Sequence, residues 1–196
     1  MNTTGDGRSE EKAEGVNAPY ENRAREWWQA AISDEGGDRG ARSALRRCTT
    51  PLEAMTIPAA ISLARRLGRI PSVDAPKWKA QQFERALGLA IVLAHVRANV
   101  QTPLLRELGW KQFPGDRKET EAGDERPRLS ELRFKRFLQN ENEDELIAAF
   151  CRLLALAGNE TNVTDLARAF LRWDEDRTKR DLALTYFNAD SRGLAA

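Results

Sequence analysis

Asn142-Glu143-Asp144-Glu145-Leu146-Ile147-Ala148-Ala149-Phe150-Cys151-Arg152-Leu153-Leu154-Ala155-Leu156-Ala157 is the most informative stretch of this chain. Leu146, Ile147, Phe150, Leu153, Leu154 and Ala157 recur at helical spacing and share one face. Asn142 offers an N-cap, and Glu145, three residues on, is placed to complete a capping box. The same signals repeat downstream in Val163, Leu166, Phe170 and Trp173, with Asn162 and Asp165 at the cap spacing. Upstream, Phe83, Leu87, Ile91, Ala94 and Ala98 lie on one face of a long helix that Pro76 opens and Pro103 follows. Thr50-Pro51-Leu52-Glu53 combines an N-cap, a first-turn proline and a Glu at the third helical position. Pro58 forces a break or kink soon afterwards. Trp27, Trp28 and Ile32 belong to a first amphipathic helix, and Leu182, Tyr186 and Phe187 to a last one. No stretch alternates with period two, and no repeat has a solenoid period. The prediction is an all-α fold of about eight helices in two small bundles joined by a charged loop.

Domain boundaries follow from composition. Residues 1–18 are rich in Gly, Glu and Asn with little to bury, and read as a disordered extension. Residues 111–127, rich in Gly, Pro and mixed charge, read as a loop or linker. They separate an N-terminal bundle over 19–110 from a C-terminal bundle over 128–190.

The 196 residues are 41% hydrophobic and 31% charged, which suits a globular domain. Basic residues number 31 and acidic residues 30, so a uniformly basic nucleic-acid-coating protein is excluded. The start of the chain has no apolar run of signal-peptide type, and no run approaches the roughly 20 residues of a membrane span. The expected location is cytoplasmic, without a membrane partner. Two cysteines, Cys48 and Cys151, give no disulfide framework and fit the apolar faces of their helices. A single histidine, His95, sits beside an apolar stripe and has no second ligand to share a metal. Phosphate-loop, dinucleotide-binding, nucleophile-elbow and zinc-protease motifs are all missing, so no enzyme and no cofactor are expected. The carboxylates of Glu141–Glu145 and Asp174–Asp176 stand at helix starts, where the helix dipole favours them. Trp27, Trp78 and Trp173 lie on amphipathic faces and are expected in a core or an interface.

The arginines are what this inventory leaves unexplained. Between Arg39 and Arg69 there are seven arginines and one acid, Glu53. Arg126, Arg128, Arg133, Lys135 and Arg136 face only Glu131, whereas residues 139–165 hold six acids against Arg152. Arg39, Arg42 and Arg46 form a row along one edge of a helix whose buried stripe is Ala41, Leu45 and Cys48. Arg47 points almost opposite that stripe. Arg133 and Arg136 repeat the three-residue spacing beside Phe134, Phe137 and Leu138, and Arg177, Lys179 and Arg180 add a third cluster. A row of guanidiniums can grip successive phosphates with forked hydrogen bonds. The same row also suits a helical adaptor whose basic face meets an acidic protein partner.

Gly40-Ala41-Arg42-Ser43-Ala44-Leu45-Arg46-Arg47, then Pro51-Leu52-Glu53 and Ile57-Pro58-Ala59, resembles the N-terminal signature of the CasB family, the small subunit of the type I-E CRISPR Cascade complex. Pro127-Arg128-Leu129-Ser130-Glu131-Leu132-Arg133-Phe134, Arg152-Leu153-Leu154, Asn162-Val163-Thr164-Asp165-Leu166-Ala167, Trp173 and Tyr186-Phe187 continue the resemblance in order. The order and spacing match over roughly residues 20–188. The resemblance implies a non-catalytic subunit present as a pair of copies among other Cascade subunits. It would hold the CRISPR RNA–target DNA duplex and support the displaced non-target strand through its basic surface. By family position it points to Arg46, Arg47, Arg133 and the cluster Arg177, Lys179 and Arg180. Spacing adds Arg42, Arg128 and Arg136, and Arg152 lies opposite its helix's apolar stripe.

Overall fold

A computed structural model describes residues 19–111 and 126–188. The expected extension at 1–18 and most of the expected loop at 111–127 lie outside the described residues. Ten helices and one short strand pair make up the described chain, so the all-α expectation is borne out. In order they are α1 (Tyr20–Ala31), α2 (Arg39–Arg47), α3 (Pro51–Ala54), α4 (Pro58–Arg66), α5 (Lys77–His95), β1 (Ala98–Asn99), α6 (Leu104–Leu108), α7 (Glu131–Leu138), α8 (Glu143–Leu156), β2 (Glu160–Thr161), α9 (Val163–Leu171) and α10 (Asp176–Tyr186).

Local signals place the helix ends. Asn142 Oδ1 accepts from the backbone N–H groups of Asp144 and Glu145 at 2.9 and 3.3 Å. Asn162 does the same for Asp165 at 3.0 Å, and Thr50 with Glu53 forms a complete capping box. The strand pair is parallel and matches Ala98 with Glu160 and Asn99 with Thr161. Two residues per strand are too few for an alternating pattern. Ala98 therefore stands in β1, and the long helix ends earlier, at His95.

The centre of the molecule is the C-terminal half of α5. Every residue from Arg85 to Ala94 is buried, as expected of a helix surrounded by others. α2, α3 and α4 pack on it from one half of the chain, α8 and α9 from the other, and α1 lies against α9. Residues on both sides of the 111–127 segment thus share a single apolar core. Phe137, Phe150, Phe170 and Trp173 form its aromatic end, with ring centroids 4.9–5.7 Å apart in tilted and edge contacts. Trp78, unlike Trp27 and Trp173, lies outside the core. It is 55% exposed, because the first turns of α5 extend past the helices that cover the rest. Cys48 and Cys151 are half-buried at the edge of the core.

One buried charge ties the elements together. Arg85 on α5 donates from Nε to Glu143 at 2.6 Å, from Nη1 to the Phe170 carbonyl at 3.2 Å and from Nη2 to Asp174 at 3.3 Å. Each acidic cluster noted in the sequence supplies one of those carboxylates. A buried guanidinium needs this full set of acceptors to offset its desolvation. Among the described residues no helix is long and apolar enough to cross a membrane.

Candidate nucleic-acid interface

α2 is a nine-residue helix capped by Asp38, whose carboxylate accepts from the N–H groups of Gly40 and Ala41 at 2.7 and 3.0 Å. Leu45 seats it on α5 with no solvent exposure. That contact turns Arg39, Arg46 and Arg47 outward. Between α2 and the C-terminal end of α5 lies a cleft of about 460 Å³. α2 contributes Arg39, Arg42, Ser43, Arg46 and Arg47, the last residue of α5 is His95, and the segment after it contributes Arg97. Asp34 and Asn159 complete the rim. Asn159 holds a left-handed backbone, φ +63°, and its carbonyl accepts from Arg97 N–H at 2.7 Å.

Arg42 does not belong to the exposed row. It stands one turn before Leu45 and is only 8% exposed. Its Nε donates to the Ala94 carbonyl at 3.0 Å, its Nη2 to the Val96 carbonyl at 2.8 Å, and its Nη1 pairs with Asp34. The last carbonyls of α5 have no partner within the helix and sit at its negative end, so a guanidinium there caps the helix. Its donors are thus engaged inside the protein, while the side chain also lines the inner wall of the cleft.

The remaining cationic groups differ in how far they are committed. Arg39 and Arg46 have no ion pair among the described residues, and Arg47 makes only a 2.8 Å bond to Ser43 Oγ. Arg152 is exposed on α8. It and Arg46 both lie close enough to Cys151 to draw its thiol downward, against the stronger effect of burial, which raises it to about 11. His95 is held below its ordinary value, first by burial and then by the positive charge of Arg46 and Arg42.

Arg133 and Arg136 are exposed on α7, with no ion pair among the described residues. α7 rests on α10 through Phe134, stacked on Tyr186 with ring centroids 4.0 Å apart. On α10, Arg177 and Arg180 share Asp181 at 3.7 and 3.9 Å, and the Lys179 ammonium lies 5.4 Å from the Trp173 ring centroid. Arg128 is more firmly held, by Glu107 at 3.0 Å and by the Leu156 carbonyl.

A family model for the CRISPR-associated protein Cse2 matches residues 41–187. The chain belongs to the Cse2 family. Cse2 is the CasB family of the sequence resemblance, which is thereby borne out. The fold is similar to that of a chain in the crystal structure of E. coli Cascade bound to a PAM-containing dsDNA target. The two are 18% identical with a TM-score of 0.53, and 87% of this chain and 95% of that one are covered. No curated protein sequence matches the chain. In this Cse2-family member, sequence reasoning missed His95 and Arg97 as cleft residues. They are remote from α2 in the chain, and only the seating of Leu45 on α5 brings them together. The sign available in the sequence was Arg97, a lone cation directly after a long apolar helix.

Proposed function

We propose that this chain is the small subunit of an RNA-guided Cascade complex and binds nucleic-acid backbone through its exposed arginines, without catalysis. Its partners are other Cascade subunits, CRISPR RNA, the target and non-target DNA strands and a second copy of itself, and it works in the cytoplasm. The observation that carries the reading is the exposed face of α2 that lines the cleft with Arg39, Arg46 and Arg47. Among the described residues Arg39 and Arg46 there have no carboxylate partner. Neighbouring guanidiniums repel one another unless an anion lies across them, and a phosphate backbone supplies such anions at regular spacing. Arg133, Arg136, Arg177, Lys179 and Arg180 extend the same chemistry on α7 and α10. Arg128 is the least available of the group. Membership of the Cse2 family and the fold shared with a Cascade chain support the assembly part of the reading.

The test is binding of labelled single- and double-stranded oligonucleotides across a salt series, with wild type and an Arg46→Ala/Arg47→Ala variant. Both residues are exposed, so the variant's stability should change by less than about 0.5 kcal/mol per site. Affinity should fall similarly for all sequences. The log–log salt slope should drop by about 0.9 per lost contact on duplex and about 0.7 on single strands. Unchanged affinity in a folded variant would move α2 to the alternative role, docking an acidic protein.

A further inference from the structure

At the opposite end of α1 from the cleft, two arginines each stand against one exposed ring, that of Tyr20. The Arg23 and Arg69 guanidinium carbons lie 5.4 and 5.5 Å from the Tyr20 ring centroid. Arg69 is aimed by its backbone. Gly68, at φ +68°, ends α4, and the Gly68 and Arg69 N–H groups donate to the carbonyls of Arg65 and Ala64 at 3.0 and 2.9 Å. That double bond pattern closes the helix and fixes the residue after the glycine.

Among the described residues neither guanidinium has an ion pair. Arg23 Nε is buried without a hydrogen-bond partner. Arg69 has no ion pair or side-chain hydrogen bond among the described residues. Burial lowers its pKa, Tyr20 opposes that, and the nearby charges of Arg85 and Arg172 lower it further. The neighbouring acids are already engaged. Glu21 pairs with Arg168 at 3.2 Å, Glu26 with Arg66 at 2.6 Å and Asp174 with Arg85 at 3.3 Å. Half-buried cations crowded together without a counter-ion are costly, and an orphaned buried N–H marks a missing acceptor.

We propose that Arg23 and Arg69, braced by Tyr20, form a phosphate-binding site separate from the cleft at α2. A guanidinium held against an aromatic ring keeps its N–H groups free to donate to phosphate oxygens, and the ring positions both side chains before the phosphate arrives. The length of α1 puts the two sites roughly 15–20 Å apart. The phosphate belongs to a nucleic-acid backbone or is free in solution, and only the first source rests on the function proposed above.

Full-length Arg69→Met and Arg23→Met/Arg69→Met variants test the site beside Arg46→Ala/Arg47→Ala. In phosphate-free buffer Arg69→Met should melt at or above the wild-type temperature, because an uncompensated charge is removed. Inorganic pyrophosphate should raise the wild-type melting temperature and leave the double variant unmoved. With labelled oligothymidylate the double variant should lose about 1.4 from the salt slope, two contacts at about 0.7 each. Loss of that slope assigns the site to backbone phosphate, and loss of the pyrophosphate shift alone assigns it to free phosphate. Retention of both overturns the proposal. A lower phosphate-free melting temperature in Arg69→Met also overturns it, since such a guanidinium already has its counter-ion. An unchanged slope in Arg46→Ala/Arg47→Ala alone would sink the α2 reading and leave this site standing.

Discussion

Arg42 and Arg46 are four residues apart on one nine-residue helix, yet they carry out opposite tasks. Arg46 faces solvent, whereas Arg42 is buried and bonds two backbone carbonyls at the end of α5. Charge pattern alone treats the two alike. The difference lies in angle: Arg42 is close enough to the Leu45 stripe to be carried inward, and Arg46 is not. Arg42→Met keeps most of the stem and removes the donors, leaving the Ala94 and Val96 carbonyls unsatisfied. Hydrogen bonds from a charged group contribute about 1.5–3 kcal/mol, so the variant should lose about 2–4 kcal/mol in urea unfolding. Its oligonucleotide affinity, measured on folded protein, should match wild type. A loss under about 0.5 kcal/mol would mean that water replaces the guanidinium at the helix end.

Among the helices, α5 decides how closely the others approach, and Gly88 is the point of contact. A Cβ there would meet Glu143 Oε1 at 2.9 Å, Ile147 Cδ1 at 3.0 Å and Phe170 Cζ at 3.1 Å. Glu143 has little freedom to yield, because Arg85 Nε holds its other oxygen at 2.6 Å. In the sequence this glycine reads only as a weak point in a helix, worth about 1 kcal/mol against alanine. In the fold it lets α8 and α9 close on α5. Gly88→Val should therefore destabilise by about 1–3 kcal/mol through overpacking. Calorimetry showing an unchanged or raised melting temperature would indicate slack between these helices.

Taken whole, the molecule folds its two halves around one core. α1 lies on α9, α8 and α9 lie on α5, and the Trp110 N–H donates to the Tyr186 carbonyl at 2.8 Å. Thermal unfolding should thus be one cooperative transition, with calorimetric and van't Hoff enthalpies equal. Two resolved transitions would show instead that bundles over 19–110 and 128–190 unfold separately. Helix content, the caps at Thr50, Asn142 and Asn162 and the apolar faces were legible in the sequence, and so was the surplus of arginine. Each is a property of a short segment, set by helical periodicity and by side chains bonding the nearest backbone N–H groups. The strand pair, the single core and the cleft were not, because each joins segments remote in the chain. Arg42 reaches acceptors 52 and 54 residues away, and Arg85 binds partners 58, 85 and 89 residues away. The sequence by itself determined that arginines would lie along helix edges. Only tertiary packing decided which of them are consumed inside the protein and which are left exposed, because burial depends on what each helix face meets.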